Sequence, residues 1–132
     1  MDFETFLGNR KAVETVRGLL SSGRVPGALL FTGPDGVGKK ALALMVAKAL
    51  NCEQRAGGAD FCGECPRCRK AEEMLAASRE DLERRREIKD AQRRVEGLVY
   101  FDLQLIEPLT KFILIEQIRQ LRSIAYTHPF EF

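Results

Sequence analysis

The stretch Ala28-Leu29-Leu30-Phe31-Thr32-Gly33-Pro34-Asp35-Gly36-Val37-Gly38-Lys39-Lys40 sets the terms for the rest of the chain. An apolar run enters a glycine loop, and the loop ends on a lysine that opens the helical stretch Lys40 to Leu50. That order is the context in which G-x-x-x-x-G-K reads as a phosphate-binding loop. Glycines let the backbone curl until successive N–H groups point inward and make a concavity for an anion. The helix start adds partial positive charge, and Lys39 adds a full one. Gly33, Pro34, Asp35, Gly36, Val37, Gly38, Lys39 and Lys40 are therefore the candidate nucleotide-binding residues. The final letter of the pattern departs: Lys40 stands where a Ser or Thr hydroxyl normally ligates Mg²⁺. Binding of ATP through its phosphates is compatible with this loop, Mg²⁺ binding is in doubt, and no catalytic residue is assigned. The plain alternative is a glycine-rich strand-to-helix turn with no ligand.

Upstream, Asn9 is placed to cap a helix in which Val13, Val16, Leu19 and Leu20 recur at helical spacing. Ser21-Ser22-Gly23 ends it, and Arg24-Val25-Pro26-Gly27 turns into the apolar run. The helix after the loop is apolar on nearly every face, which predicts burial. An α/β fold with the loop at the C-terminal edge of a parallel sheet follows. Val99 to Glu107 alternates enough to be a second strand ended by Pro108. Ile113 to Ile115 would add a short one before a helix from Glu116 to Ala125, with Ile115, Ile118, Leu121 or Arg122, and Ala125 on its buried side.

All four cysteines of the chain, Cys52, Cys62, Cys65 and Cys68, fall in the pattern C-x9-C-x2-C-x2-C. Thiolates two residues apart can meet one tetrahedral Zn²⁺, and four of them close its coordination sphere, which makes the site structural. Two disulfides or four free thiols are the alternatives; a cytosolic setting opposes the first. Arg67, Arg69 and Lys70 flank the ligands and favour the thiolate forms. The lone His128, in Thr127-His128-Pro129, reads as a surface or turn residue.

From Ala71 to Leu98 the chain reads as helix, without Pro and with a narrow apolar stripe. Between Arg79 and Glu96 seven basic and six acidic residues nearly cancel, and Glu80/Arg84, Asp81/Arg85 and Asp90/Arg94 are helical i,i+4 pairs. Mixed charge argues against a DNA-binding tail. A solvated helix or hairpin packed by one thin face is favoured over a coiled-coil arm that meets a partner. The 132 residues suit about one domain, and 45% hydrophobic with 30% charged residues is ordinary for a globular protein. The net charge of +2 makes no case for nucleic acid or membrane, and no apolar run approaches a membrane span. The start Met1-Asp2-Phe3-Glu4 is unlike a signal peptide, so cytoplasm is the expected compartment.

Taken together, Phe6-Leu7-Gly8-Asn9, Pro26 to Phe31, the Gly33–Lys39 loop, Leu50-Asn51-Cys52 and Cys62-Gly63-Glu64-Cys65-Pro66-Arg67-Cys68 resemble the AAA+ clamp-loader subunits of bacterial DNA polymerase III. The resemblance is narrowest to the delta-prime subunit, with gamma/tau as close relative. Asp102 to Pro108 and Ile115 to Arg122 are similar to the same family. It implies residues 1–132 to be the N-terminal part of an AAA+ nucleotide-binding domain, with an inserted zinc module at 52–68; the charged helical block 71–98 departs from the family pattern. It implies DNA replication as the role: helping to load the sliding clamp onto primer-template DNA beside the gamma/tau and delta subunits. The nucleotidyltransferase activity would belong to the complex. Lys40 favours the delta-prime type over an ATP-hydrolysing gamma/tau motor. The family's acidic, sensor and trans-acting arginine motifs would lie beyond Phe132 and are not assigned. Its sheet order would also place further strands there, so residues 1–132 alone are expected to be marginal or self-associating.

Overall fold

A computed structural model describes residues 3–54, 60–90, 93–94 and 102–126. They fall into two compact units, Met1–Arg69 and Lys70–Phe132.

In the first unit, α1 (Arg10–Ser22) starts as its sequence directs: Asn9 Oδ1 accepts from the Ala12 N–H at 3.2 Å. It ends on Gly23, whose left-handed φ of 70° lets its N–H return to Leu20 O. Val13, Val16 and Leu20 form its buried stripe, packed against α2 (Lys39–Asn51) through Leu42, Met45, Val46 and Ala49. Phe3 completes this core at 1% exposure, with Phe6, Val25, Phe31 and Phe61 around it. Burying side chains of this size contributes about 1.5–3 kcal/mol each. The expectation that α2 is buried all round is corrected. One face packs, while Leu50 stays 47% exposed.

The expected parallel sheet is also corrected, since the described residues hold no strand beyond an isolated bridge at Asp60. A strand exists only through pairing with a neighbour. Residues 28–32 have no partner segment among those described, and Leu30 is 88% exposed. The predicted strand at 99–107 begins outside the described residues, and its 102–107 part is not in a ladder. Of the third, residues 113–114 are irregular and Ile115 already begins a helix.

In the second unit, α3 (Pro66–Arg86), whose first turn belongs to the first unit, buries Ala71, Met74, Leu75, Ser78, Asp81, Leu82 and Arg85 at helical spacing. The stripe looked thin in the sequence because three of its members are polar. Each has partners. Ser78 Oγ donates to Leu105 O at 3.0 Å and accepts from Leu105 N and from Gln104 Nε2. It thereby serves backbone groups that a sheet would otherwise have paired. Arg85 Nε donates to Asp81 Oδ2 at 2.8 Å, and its Nη1 to Arg94 O. Arg84 pairs with Asp81 at i,i+3, and the Arg94 guanidinium donates to Ile88 O. Arg86 reaches Pro108 O and Glu107.

The helix α4 (Ile115–Ile124) corrects a further expectation: Ile115 and Ile118 are 66% and 47% exposed, and the buried residue is Gln117. Its amide explains why. Oε1 accepts from Leu114 N, and Nε2 donates to Glu107 O, so the polar group is satisfied inside. Residues 91–92, 95–101 and 127–132, including His128, lie outside the described set. No described helix is long and apolar enough to cross a membrane.

Candidate functional site

The loop curls where its glycines permit. Gly33, Gly36 and Gly38 have φ of 150°, 79° and 92°, a region that favours glycine. Gly38 caps α2 with its carbonyl, which accepts from Leu42 N at 2.9 Å, and no side chain caps the helix start. No acidic residue stands in the first turn either, so nothing in it opposes an anion. Lys39, the first helical residue, folds back: its Nζ donates to Gly33 O and, at 2.8 Å, to Pro34 O. Asp35 Oδ1 lies 3.9 Å from the same ammonium, with an exposed carboxylate. Lys40 is exposed at the helix start.

Beside the loop is a cavity of about 550 Å³, lined by Phe6, Asn9, Thr32, Gly33, Gly38 and Lys39 among others. Sequence reasoning quoted Phe6 only as part of a resemblance. Here its ring abuts two glycines: a Cβ on Gly8 or on Gly38 would lie 2.1 Å or 2.8 Å from ring atoms. Of the two glycines only Gly8 is near Phe6 in the sequence, and the contact with Gly38 carries no sequence signal.

The four cysteines converge. Their sulfurs all lie within 4.8 Å of one another, with Cys52–Cys62 at 3.7 Å, Cys52–Cys65 at 3.9 Å and Cys62–Cys68 at 4.0 Å. No two are bonded, so the described geometry is not that of disulfides. A tetrahedron with zinc–sulfur arms of 2.3 Å has edges of about 3.8 Å, and the thiol set fits one such ion. The local backbone is built for thiolates. N–H groups of Gln54 and Cys62 point to Cys52 Sγ, those of Glu64 and Cys65 to Cys62 Sγ, and that of Cys68 to Cys65 Sγ. Gly63, at φ 78°, makes the turn between two ligands. The N–H of Cys68, followed by other backbone and thiol donors, holds the Cys65 thiol down at about 6, while burial pushes Cys68 up to about 12. Glu53 and Arg67, each next to a cysteine, pair at 3.0 Å and tie the two ligand segments. Closed four-thiolate sets leave no position for substrate, so the chemistry available here is structural.

Comparison with known proteins gives a consistent answer. The chain is 38% identical over 96 residues to the DNA polymerase III subunit tau of Escherichia coli, covering 67% of this chain and 15% of that protein. It is 35% identical over 97 residues to subunit gamma of Buchnera aphidicola (67% and 27%), and 30% identical over 113 residues to subunit tau of Bacillus subtilis (80% and 20%). The chain thus spans less than a third of the length of these relatives. No solved structure matches it. The family model described as "DNA polymerase III, delta subunit" matches residues 8–131 and supports a P-loop NTPase type of fold. That match takes in the loop, the cysteines and both units, and the chain belongs to this family of DNA polymerase III clamp-loader proteins.

Proposed function

We propose that this chain is a delta-prime-like assembly subunit of the clamp loader, acting in DNA replication in the cytoplasm. In this reading it helps place the sliding clamp on primer-template DNA, and it binds nucleotide without turning it over. One observation carries the proposal. At the start of α2, the position that would supply a hydroxyl to Mg²⁺ is Lys40. A protonated ammonium attracts phosphate but has no lone pair for a metal, and it repels the cation it displaces. Residues Gly33 to Gly38 keep the anion cradle, and Lys39 keeps its charge. Binding therefore survives where Mg²⁺-assisted transfer does not. Cys52, Cys62, Cys65 and Cys68 hold one structural Zn²⁺ in this reading. Residues 1–132 form the N-terminal part of the AAA+ domain, the cysteine module lies at 52–68 and the charged insertion at 71–98, of which α3 takes in residues 71–86 while residues 87–90 leave the helix. The partners are the gamma/tau and delta subunits.

A second reading, a gamma/tau-like subunit that hydrolyses ATP with Mg²⁺, is favoured by one specific fact: the relatives named above are tau and gamma subunits. Calorimetric titration with ATP, with and without Mg²⁺, separates the two. Weak binding with little Mg²⁺ dependence is expected, and Lys40→Thr should make it Mg²⁺-dependent. Tight, Mg²⁺-dependent binding by the unsubstituted chain would favour the motor.

A further inference from the structure

We infer that the cysteine module and the phosphate loop form one coupled unit, in which Phe61, Phe3 and Phe6 act as positioning residues between the four thiols and Gly38. The inference rests on the reading above, in which the thiols take a metal and the loop takes phosphate. Two paths connect the sites. The first is α2 itself, with Gly38 as its N-cap and Cys52 as its C-cap. The second runs through side chains. Phe61 directly precedes Cys62 and packs both on the cysteine cluster and on the main core. Its ring meets that of Phe3 edge-on, with centroids 6.4 Å apart, and the Lys48 ammonium of α2 lies 5.5 Å from its centre. Phe3, buried at 1% exposure, opens the turn that leads to Phe6, whose ring abuts Gly38.

Coupling needs an element with two states that both sites bias. The Cys52–Cys68 segment supplies it, because a four-thiolate module folds with its metal and loosens without it. When the segment loosens, Phe61 leaves Phe3, and the N-terminal turn that carries Phe6 to the loop loses that contact. The loop must then be ordered at the expense of anion binding. The linkage is reciprocal, so an anion on the loop must strengthen metal binding by the same factor.

The experiment titrates ADP without Mg²⁺ into the zinc-loaded and the chelator-stripped chain, following helix content by circular dichroism. Stripping is expected to weaken ADP binding at least about five-fold, and saturating ADP to tighten zinc by that factor in competition with a chromophoric chelator. Zinc-loaded Phe61→Ala should keep one zinc and its helices, yet bind ADP as weakly as the stripped chain; Phe61→Tyr should behave as the parent. Equal ADP affinity with and without zinc, in protein of unchanged helix content, overturns the coupling and leaves the two sites standing. Should stripping unfold the chain outright, the zinc-loaded variants decide: equal affinity in Phe61→Ala and parent overturns the inference. Zinc-loaded chain that binds no ADP overturns the loop reading itself, and the coupling with it.

Discussion

The ring of Phe6 lies so close to Gly38 that a Cβ at that glycine would sit 2.8 Å from Cζ and 3.1 Å from Cε2. Gly38 is also at φ 92°. Gly38→Ala therefore meets two penalties, about 1–2 kcal/mol for the left-handed backbone and about 1–3 kcal/mol for overpacking. Gly36, at φ 79° with nothing within 4 Å of its would-be Cβ, meets only the first. Urea denaturation should rank Gly38→Ala well below Gly36→Ala, and a Phe6→Ala background should bring the two together. Equal losses in the parent background would show that the ring moves aside freely.

The carboxylate of Asp35 stands 3.9 Å from the Lys39 ammonium, fully exposed. Such a pair contributes little to stability, so Asp35→Asn should leave the urea midpoint essentially unchanged. Binding is another matter, because the same carboxylate repels a phosphate entering the loop. ADP affinity should rise about two- to five-fold at low ionic strength, and the gain should fade toward 1 M salt. A gain that persists at high salt would point to loop rearrangement in place of charge.

Metal uptake should depend on pH in a defined direction. Without metal, Cys68 keeps its proton up to about 12, whereas Cys65 has lost its own above about 6. An incoming ion must displace the Cys68 proton across the accessible range, and the Cys65 proton only below about 6. Zinc affinity should thus rise with pH, more steeply below about 6 than above. Chelator competition across that range checks it; a flat profile would contradict the thiolate site. Cys65→Ser should lower zinc uptake and loosen the Cys52–Cys68 segment.

In the second unit, the Asp81 and Arg85 side chains are only 11% and 10% exposed. Removing one partner strands the other, so Asp81→Asn should cost about 3 kcal/mol. Replacing both, as Asp81→Leu with Arg85→Met, should cost much less, since neither charge is then left buried. Thermal unfolding followed at the helix band gives both values; additive losses would mean that the pair is not the unit that matters.

How much of this was legible in the sequence follows from the range of each signal. Asn9, Gly23, the loop glycines and the cysteine spacing act over a few residues, and each stands where its pattern placed it. What was missed depends on distant partners. Ser78 and Gln117 look like surface residues until Leu105 and Glu107 come within reach of them. Ile115 and Ile118 look like core for the converse reason, since periodicity cannot say whether an opposing face is present. Pairing likewise decides whether Ala28–Thr32 counts as a strand, and an apolar run is silent on that. Phe61 went unread because a lone aromatic beside a cysteine carries no pattern.

The thirteen residues of α2 also act as a gauge. Each helical residue adds about 1.5 Å and about 100° of rotation, so one inserted or deleted residue between Lys39 and Cys52 would turn that thiol onto another side of the helix. Three or four residues nearly restore the angle but displace the sulfur by about 5 Å, more than an edge of the sulfur tetrahedron. Point substitutions along α2 are open to variation wherever the core permits, whereas a change in its length is closed to it.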